Sequence, residues 1–300
     1  MDFVCNVCAA EVTGCPDEIV DRDVPSCPKC YSTIRFRGVI HLLSRALYGR
    51  SMPLPSFPAD KAITGLGLSD WENYADRLAE KFTYANTFFH TEPFLDVSKP
   101  VPAVLRSSAD FLISTDVFEH VAPPIRNAFR GVFDLLRPGG HMILTAPFSR
   151  HATTLEHYPQ LHDYRIVQFG DDYVVLNRTA DGKYAVHENP VFHGGPGTTL
   201  EMRILCLNDI MDDLKAAGFE FELVEGNVPE WGIVYKDQPD RPILAKKPTG
   251  ARDLSGERSN AAIENLIARA RKPAADVPRT SWRTRLRSRL ARVANRILPP

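Results

Sequence analysis

Four cysteines near the N-terminus, Cys5, Cys8, Cys27 and Cys30, form two CxxC pairs separated by 18 residues. A CxxC turn presents two thiolates to one point, and two such turns can close a tetrahedral sulfur site with Zn–S bonds of about 2.3 Å. Residues 1–37 are therefore expected to form a zinc ribbon. The segment is too short for a hydrophobic core of its own, so the metal would supply its folding energy. Four thiolates leave no open position, which makes such a zinc structural rather than catalytic. Two disulfides are the competing reading. No signal-type segment precedes the cysteines, and Cys15 and Cys206 would be left over, which favours thiolates in a reducing, cytoplasmic setting.

A second group of reactive types lies further on. Thr115-Asp116-Val117-Phe118-Glu119-His120-Val121 places two carboxylates and an imidazole within five residues, a set suited to proton transfer. The stretch from Phe148 to Glu201 adds Glu156, His157, His162, His193 and Glu201, followed by Arg203. It is too long for a simple connection, and ordered inserts of this length serve as lids or acceptor pockets. His120, His157 and His193 are the candidates for taking a proton from an acceptor group. For each of these side chains the plain alternative is a structural hydrogen bond or a helix cap. His193-Gly194-Gly195 also resembles an oxyanion-hole loop, but no GxSxG nucleophile accompanies it, which argues against a hydrolase.

The elements that position these residues follow from periodicity and punctuation. A helix is expected over 39–48, ended by Gly49. A short buried strand over 61–68 runs into a glycine-containing turn, and Ser69 with Glu72 reads as a capping box. The next helix buries Trp71, Tyr74, Leu78 and Phe82. Strands are expected over 84–90, 109–114 and 141–146. Between the last two, Pro123-Pro124 opens a helix that buries Ile125, Phe129, Val132, Phe133 and Leu136, and Arg137-Pro138-Gly139-Gly140 breaks it. Residues 147–200 read as irregular. Asn208 is expected to cap a helix that Gly218 ends, with late strands over 219–224, 232–235 and 243–245. Strands alternating with helices argue for an α/β fold with a mostly parallel sheet.

The chain has 300 residues, 44% hydrophobic and 24% charged, with a net charge of −1. That composition supports one substantial core, and the near-zero charge argues against DNA as a partner. No apolar run is long enough to span a bilayer. The expected organisation is a ribbon over 1–37, a body over 38–248 with an insert at about 148–203, and a linker with a basic amphipathic helix over 249–300. From Arg271 onward nine Lys/Arg face one acid, Asp276, and Trp282, Leu286, Leu290, Val293 and Ile297 share a helical face. Such a helix predicts peripheral contact with an anionic membrane surface. An acidic partner, RNA or a solvated tail are the alternatives.

The run from Asp110 to Val121, followed by Leu135-Leu136-Arg137-Pro138-Gly139-Gly140-His141-Met142-Ile143-Leu144, resembles the centre of class I S-adenosylmethionine-dependent methyltransferases of the small-molecule, type 11-like kind. The resemblance extends over about residues 60–247. It implies a Rossmann-like, mostly parallel sheet with helices on both faces and S-adenosyl-L-methionine as cofactor. The methyl group would pass to an oxygen or nitrogen of a small molecule, with a sugar or glycan preferred. A nucleic-acid-modifying methyltransferase and a catalytically inactive scaffold with the same body are the alternatives. Carried onto this chain, Gly65 and Gly67 would meet the methionine end of the cofactor, and Glu92, with Asp96 as a rival, would meet its ribose. Asp116 and Glu119 would line the cofactor and acceptor.

The chain departs from the pattern at its start. The acid and GxGxG loop are replaced by Gly65-Leu66-Gly67-Leu68-Ser69-Asp70, and one strand–helix unit is missing. In a second register this stretch is the family's second strand, with Gly67 where the ribose-binding acid belongs. Losing an edge strand only exposes a new edge, whereas losing the central one leaves ladders unpaired, so the first register is expected. The reading also requires a hollow beside Asp116 that admits adenosine.

Overall fold

The computed structural model describes residues 1–149, 151–224, 226–236, 240–255 and 260–270. The basic helix expected within 271–300 lies outside them. A central sheet is built from β1 (Thr64–Leu68), β2 (Thr83–Thr87), β3 (Ala109–Thr115), β4 (Leu136–Thr145), β5 (Glu220–Leu223) and β6 (Ile243–Lys246). Its order is β5-β6-β4-β3-β1-β2. The strands β2-β1-β3-β4 are parallel, and β6 runs antiparallel to both β4 and β5. This is the expected Rossmann-like α/β sheet. β1 lies between β2 and β3, and β2 forms the edge, an order that both registers give. The order reverses between β1 and β3, which makes the crevice at their carboxyl ends the place where ligands of such sheets bind.

Among the described residues five helices cover the sheet: α1 (Ile34–Tyr48), α2 (Glu72–Lys81), α3 (Arg126–Leu135), α4 (Leu207–Ala217) and α5 (Ala261–Ala270). Side-chain alternation along the strands sorts them into two layers. Leu66, Leu68, Leu112, Met142 and Leu144 pack with Phe129 and Val132 of α3, Ile210 and Leu214 of α4, and Ile263 and Leu266 of α5. Phe111, Ile113, Ile143 and Tyr84 face Ile40 and Leu43 of α1 and Tyr74 and Leu78 of α2, in one core with Phe3, Val7, Val12 and the four ribbon cysteines. The expected ribbon–body boundary at residue 37 thus falls inside α1, and the two share a core. α1 starts five residues earlier than its apolar pattern, because the Thr33 hydroxyl accepts the Phe36 amide. It ends as expected at Gly49, whose φ of 69° is left-handed. At the end of α3, fully buried Lys247 donates to the carbonyls of Phe133 (2.9 Å) and Leu136 (2.8 Å), placing a cation where the helix dipole is negative.

Several local expectations are corrected. The Ser69–Glu72 capping box does not form: α2 starts at Glu72 with Trp71 before it and no side-chain cap, and Ser69 turns the chain with a φ of 56°. Asn208 lies inside α4, whose flanking residue is Cys206. Residues 232–235 are not a strand; Ile233 makes a single bridge to Val228 across the turn Pro229–Trp231. Arg137–Gly140 does not interrupt the chain, because β4 already begins at Leu136, and a register shift against β3 between Ala109 and Phe111 absorbs the irregularity. The insert is not irregular. It folds as a three-stranded antiparallel sheet of Asp163–Phe169, Asp172–Arg178 and Tyr184–Glu188, followed by a hairpin of Phe192–His193 and Thr199–Leu200.

Gly65 and Gly67 sit within β1, not in the turn after it. Both face the α1–α2 layer. A Cβ on Gly65 would run into the ring of Phe111, and one on Gly67 into the Tyr84 hydroxyl and the Asp70 carboxylate. The glycines are therefore required by packing. Gly65→Ala is expected to destabilise the protein by about 1–3 kcal/mol in urea unfolding. Gly226→Ala, where a Cβ meets nothing within 4 Å, should stay within about 0.5 kcal/mol of wild type.

Candidate functional site

The ribbon cysteines converge. Phe3–Val4 pairs antiparallel with Glu11–Val12, and each CxxC turn closes on itself. Ala9 N–H donates to the Cys5 carbonyl (2.7 Å) and Tyr31 N–H to the Cys27 carbonyl (2.8 Å). Ala9 and Tyr31, each directly after the second cysteine, both adopt positive φ (59° and 61°). The four sulfurs are buried and mutually within 4.8 Å, with Cys5–Cys30 at 3.6 Å and Cys8–Cys27 at 3.7 Å. A tetrahedron of Zn–S bonds has edges of about 3.8 Å, whereas a disulfide needs about 2.05 Å. The site therefore fits a tetrahedral ion and not a pair of disulfides. Fully buried Arg37 stands beside it, donating to Ser32 O, Ser26 Oγ and Gly232 O, each at 2.8 Å, with its guanidinium 4.7 Å from the Phe3 ring. It fastens the ribbon to the loop before β6.

The ribbon also reaches the carboxyl edge of the sheet. Asp116 follows β3 with a φ of 53°. Arg22, from the loop between the CxxC pairs, grips both its carboxylate oxygens, Nη1 to Oδ2 at 3.0 Å. Arg35 of α1 lies 3.2 Å from Oδ2, and Thr145 Oγ1 donates to Oδ1 at 3.0 Å. Burial pushes the Asp116 carboxyl up, but Arg35 and Arg22 outweigh it and hold the group below the usual carboxylate range. The two arginines take up the hydrogen-bonding positions of this carboxylate, which was expected to line the cofactor. Next to it, Asp70 is buried and accepts from Tyr74 Oη (2.7 Å) and from Tyr84 Oη. Burial, only partly offset by these phenols, lifts Asp70 to about 7. Glu92 is exposed and accepts the Phe94 amide at 2.9 Å, and Asp96 caps Ser98 in the same way.

Beyond Asp116, the turn Phe118–His120 carries the other candidates. Fully buried Arg203 donates to the carbonyls of Phe118 (2.8 Å) and Val121 (2.6 Å) and to Glu156 (2.7 Å), pinning the turn from within the insert. Met202 N–H adds a bond to Glu119 O at 2.8 Å. The three expected histidines meet here in one chain of contacts. His157 Nε2–H donates to Glu201 Oε1 (2.9 Å), and His193 Nε2–H to Glu201 Oε2 (2.7 Å). His193 Nδ1 stands 3.1 Å from His120 Nε2, and His120 Nδ1–H donates to Leu200 O (2.8 Å). Burial draws the His120 imidazole below its ordinary value. Glu119, 1% exposed, ends the chain 3.8 Å from His120 Nε2. Neither of its carboxylate oxygens has a hydrogen-bond partner among the described residues. Burial, then the charge of Asp116, pushes Glu119 up to about 8. Glu201 as the hub, and Arg22 and Arg35 on Asp116, have no local sequence signal: His157 lies 44 residues from Glu201, and Asp116 lies 94 from Arg22.

No family model and no curated protein matches the sequence. Among solved structures the chain is similar to the 1,6-didemethyltoxoflavin-N1-methyltransferase of Burkholderia thailandensis, at 14% identity over 72% of this chain and 78% of that one, with a TM-score of 0.37. DesVI of Streptomyces venezuelae is 12% identical over 70% of this chain and 92% of that one (TM-score 0.39). The sugar N-methyltransferase KedS8 of Streptoalloteichus sp. is 13% identical over 70% and 85% (TM-score 0.37).

Asp70 makes stability depend on pH. Its folded value of about 7 exceeds the ordinary 3.8, so the folded state binds the proton more tightly. Its contribution is full below about pH 4 and is lost as pH rises through 7. Asp70→Asn is expected to flatten the fall in stability between pH 4 and 7, measured by urea unfolding. Glu119 acts in the same direction up to about pH 8, so part of the slope remains. An unchanged profile in the variant would rule out Asp70 as a source.

Proposed function

We propose that the chain transfers a methyl group from S-adenosylmethionine to an oxygen or nitrogen of a small-molecule or glycan acceptor, and that a structural zinc holds its ribbon. One observation carries the reading. The chain of contacts from His157 through Glu201, His193 and His120 to Glu119 lies just past the carboxyl end of β3, beside the crevice where a ligand of this sheet belongs. Proton-accepting groups and a nucleotide-type edge thus adjoin. The resemblance of residues 110–144 to methyltransferases supports the same assignment.

S-adenosylmethionine, when bound, would supply the methyl group, its S–CH3 bond breaking to a neutral thioether as the acceptor's lone pair bonds in line to the methyl carbon. Most of the acceleration comes from positioning. The acceptor's proton passes to an imidazole of the chain, and Glu201 steadies the charge that forms.

A second reading, a scaffold without methyl transfer, is favoured by the grip of Arg22 and Arg35 on Asp116. Calorimetry with S-adenosylmethionine and S-adenosylhomocysteine separates the two. The enzyme reading expects binding with Kd between about 1 μM and 1 mM; absence of heat at millimolar ligand leaves the scaffold. For the ribbon, Cys8→Ser is expected to lower zinc by one equivalent per chain in elemental analysis, with loss of ribbon folding. Retention of full zinc content would refute the site.

A further inference from the structure

The contacts around His120 and His193 fix which of their nitrogens carry hydrogens. His120 Nδ1 faces the Leu200 carbonyl at 2.8 Å. A carbonyl only accepts, so Nδ1 holds the hydrogen and Nε2 of the neutral ring is bare. His193 Nε2 faces the Glu201 carboxylate at 2.7 Å, so it too holds its hydrogen, and Nδ1 is bare. The two bare nitrogens lie 3.1 Å apart. Lone pair against lone pair at that distance is repulsive unless a cation lies between them. The third group at this point is the Glu119 carboxylate, almost fully buried, without a hydrogen-bond partner among the described residues and 3.8 Å from His120 Nε2. The ligand atoms of Glu119, His120 and His193 all lie within 4.8 Å of one another.

From this convergence we infer a second metal site, distinct from the ribbon: a divalent first-row transition ion held by Glu119, His120 Nε2 and His193 Nδ1. Two His and one carboxylate are a recurrent ligand set for such ions. Nitrogens 3.1 Å apart with bonds of about 2.1 Å subtend an angle near 95°, close to the cis angle of an octahedral site. The partners behind the ligands also fit. Each ligating imidazole gives its other N–H to a carbonyl or carboxylate, the arrangement that fixes ring tautomer and orientation around metals. Arg203 holds the backbone of the Phe118–Val121 turn, leaving the side chains of Glu119 and His120 to the ion. A 2+ charge balances Glu119 and Glu201. Three protein ligands leave positions for water or an acceptor oxygen. His157, whose Nε2–H goes to Glu201, stays outside the ligand set as a proton acceptor. The site stands on its own geometry whether or not the chain transfers methyl groups.

The test uses the full-length chain, stripped with a chelator mild enough to leave one equivalent of zinc in the ribbon, then titrated with Mn2+ or Co2+ and no cofactor or acceptor. Wild type is expected to take up one further equivalent, and the electron spin-echo spectrum of bound Mn2+ to show coupling to imidazole nitrogen. His193→Ala and Glu119→Gln should weaken that equivalent about 100-fold or more, and Glu201→Gln about 10–100-fold. Retained ribbon zinc and an unchanged circular dichroism spectrum report folding in each variant. The inference is overturned if wild type binds no further equivalent, which would leave a proton shared between the rings. It also falls if uptake persists without nitrogen coupling, or if His193→Ala binds as tightly as wild type. None of these outcomes bears on cofactor binding, which calorimetry reads separately.

Discussion

The pairing of Asp116 with Arg22 makes ribbon and sheet one body. Asp116 ends the strand at the point where strand order reverses, and its left-handed backbone turns the chain so that its amide still reaches Thr145 O at 2.9 Å. Its half-buried carboxylate would lose the arginines that offset its charge without the ribbon. Arg22, with a side chain only 6% exposed, is in the mirror position. Removing one partner of such a pair costs about 3–5 kcal/mol, mostly because the other stays uncompensated. Asp23 then bridges Arg22 and Arg35 (2.7 and 2.8 Å), so the ribbon loop and the first turn of α1 are held in one network over the sheet edge.

The same dependence runs through the core. The ribbon cannot enclose an apolar centre alone, and here it shares one with α1, α2 and one face of the sheet. Gly65 and Gly67 belong to that face. Without side chains of their own they let the Phe111 ring and the Tyr84–Asp70 pair lie flat against β1. The polar Asp70 is tolerable there because two phenols donate to it, and Phe36 stacks on Trp71 at 4.5 Å to cover the turn. A four-cysteine ribbon, two glycines and a buried acid thus form one packing solution over the strand ends.

What the sequence disclosed follows from range. The CxxC turns, the strand and turn from Asp110 to Val121, and the Gly49 helix stop depend on residues a few positions apart, and they are found where spacing puts them. Gly65 and Gly67 misled because a glycine pair before a helix reads as a loop, while its actual cause, the Phe111 ring, comes 46 residues later. The insert read as irregular because its strands lack clean alternation: Phe169, Tyr184 and Val186 are exposed, so no half-buried period marks them. The Arg22–Asp116 pair spans 94 residues and the His120–Leu200 bond 80. Nothing local announces either. The three histidines were recognisable as reactive types, but that Glu201 joins two of them and Leu200 orients the third is a product of tertiary structure.

Satisfaction of polar groups separates the two ends of the sheet edge. Around Asp116 and Asp70 each carboxylate oxygen has a donor, and Arg22 and the two tyrosines that supply them are themselves buried. A few residues on, the pattern inverts. Arg203 donates through Nε and Nη1 to Glu156 and to the carbonyls of Phe118 and Val121, and not to Glu119. Glu119 is left bare, and the two nearest imidazoles turn bare nitrogens toward the same point. Buried carboxylates without donors are costly in a folded protein. A turn held this firmly by its backbone, with its polar side chains unspent, is built to receive something other than a protein donor. That contrast, more than any single distance, distinguishes the Glu119 end as a site from the Asp116 end as a joint.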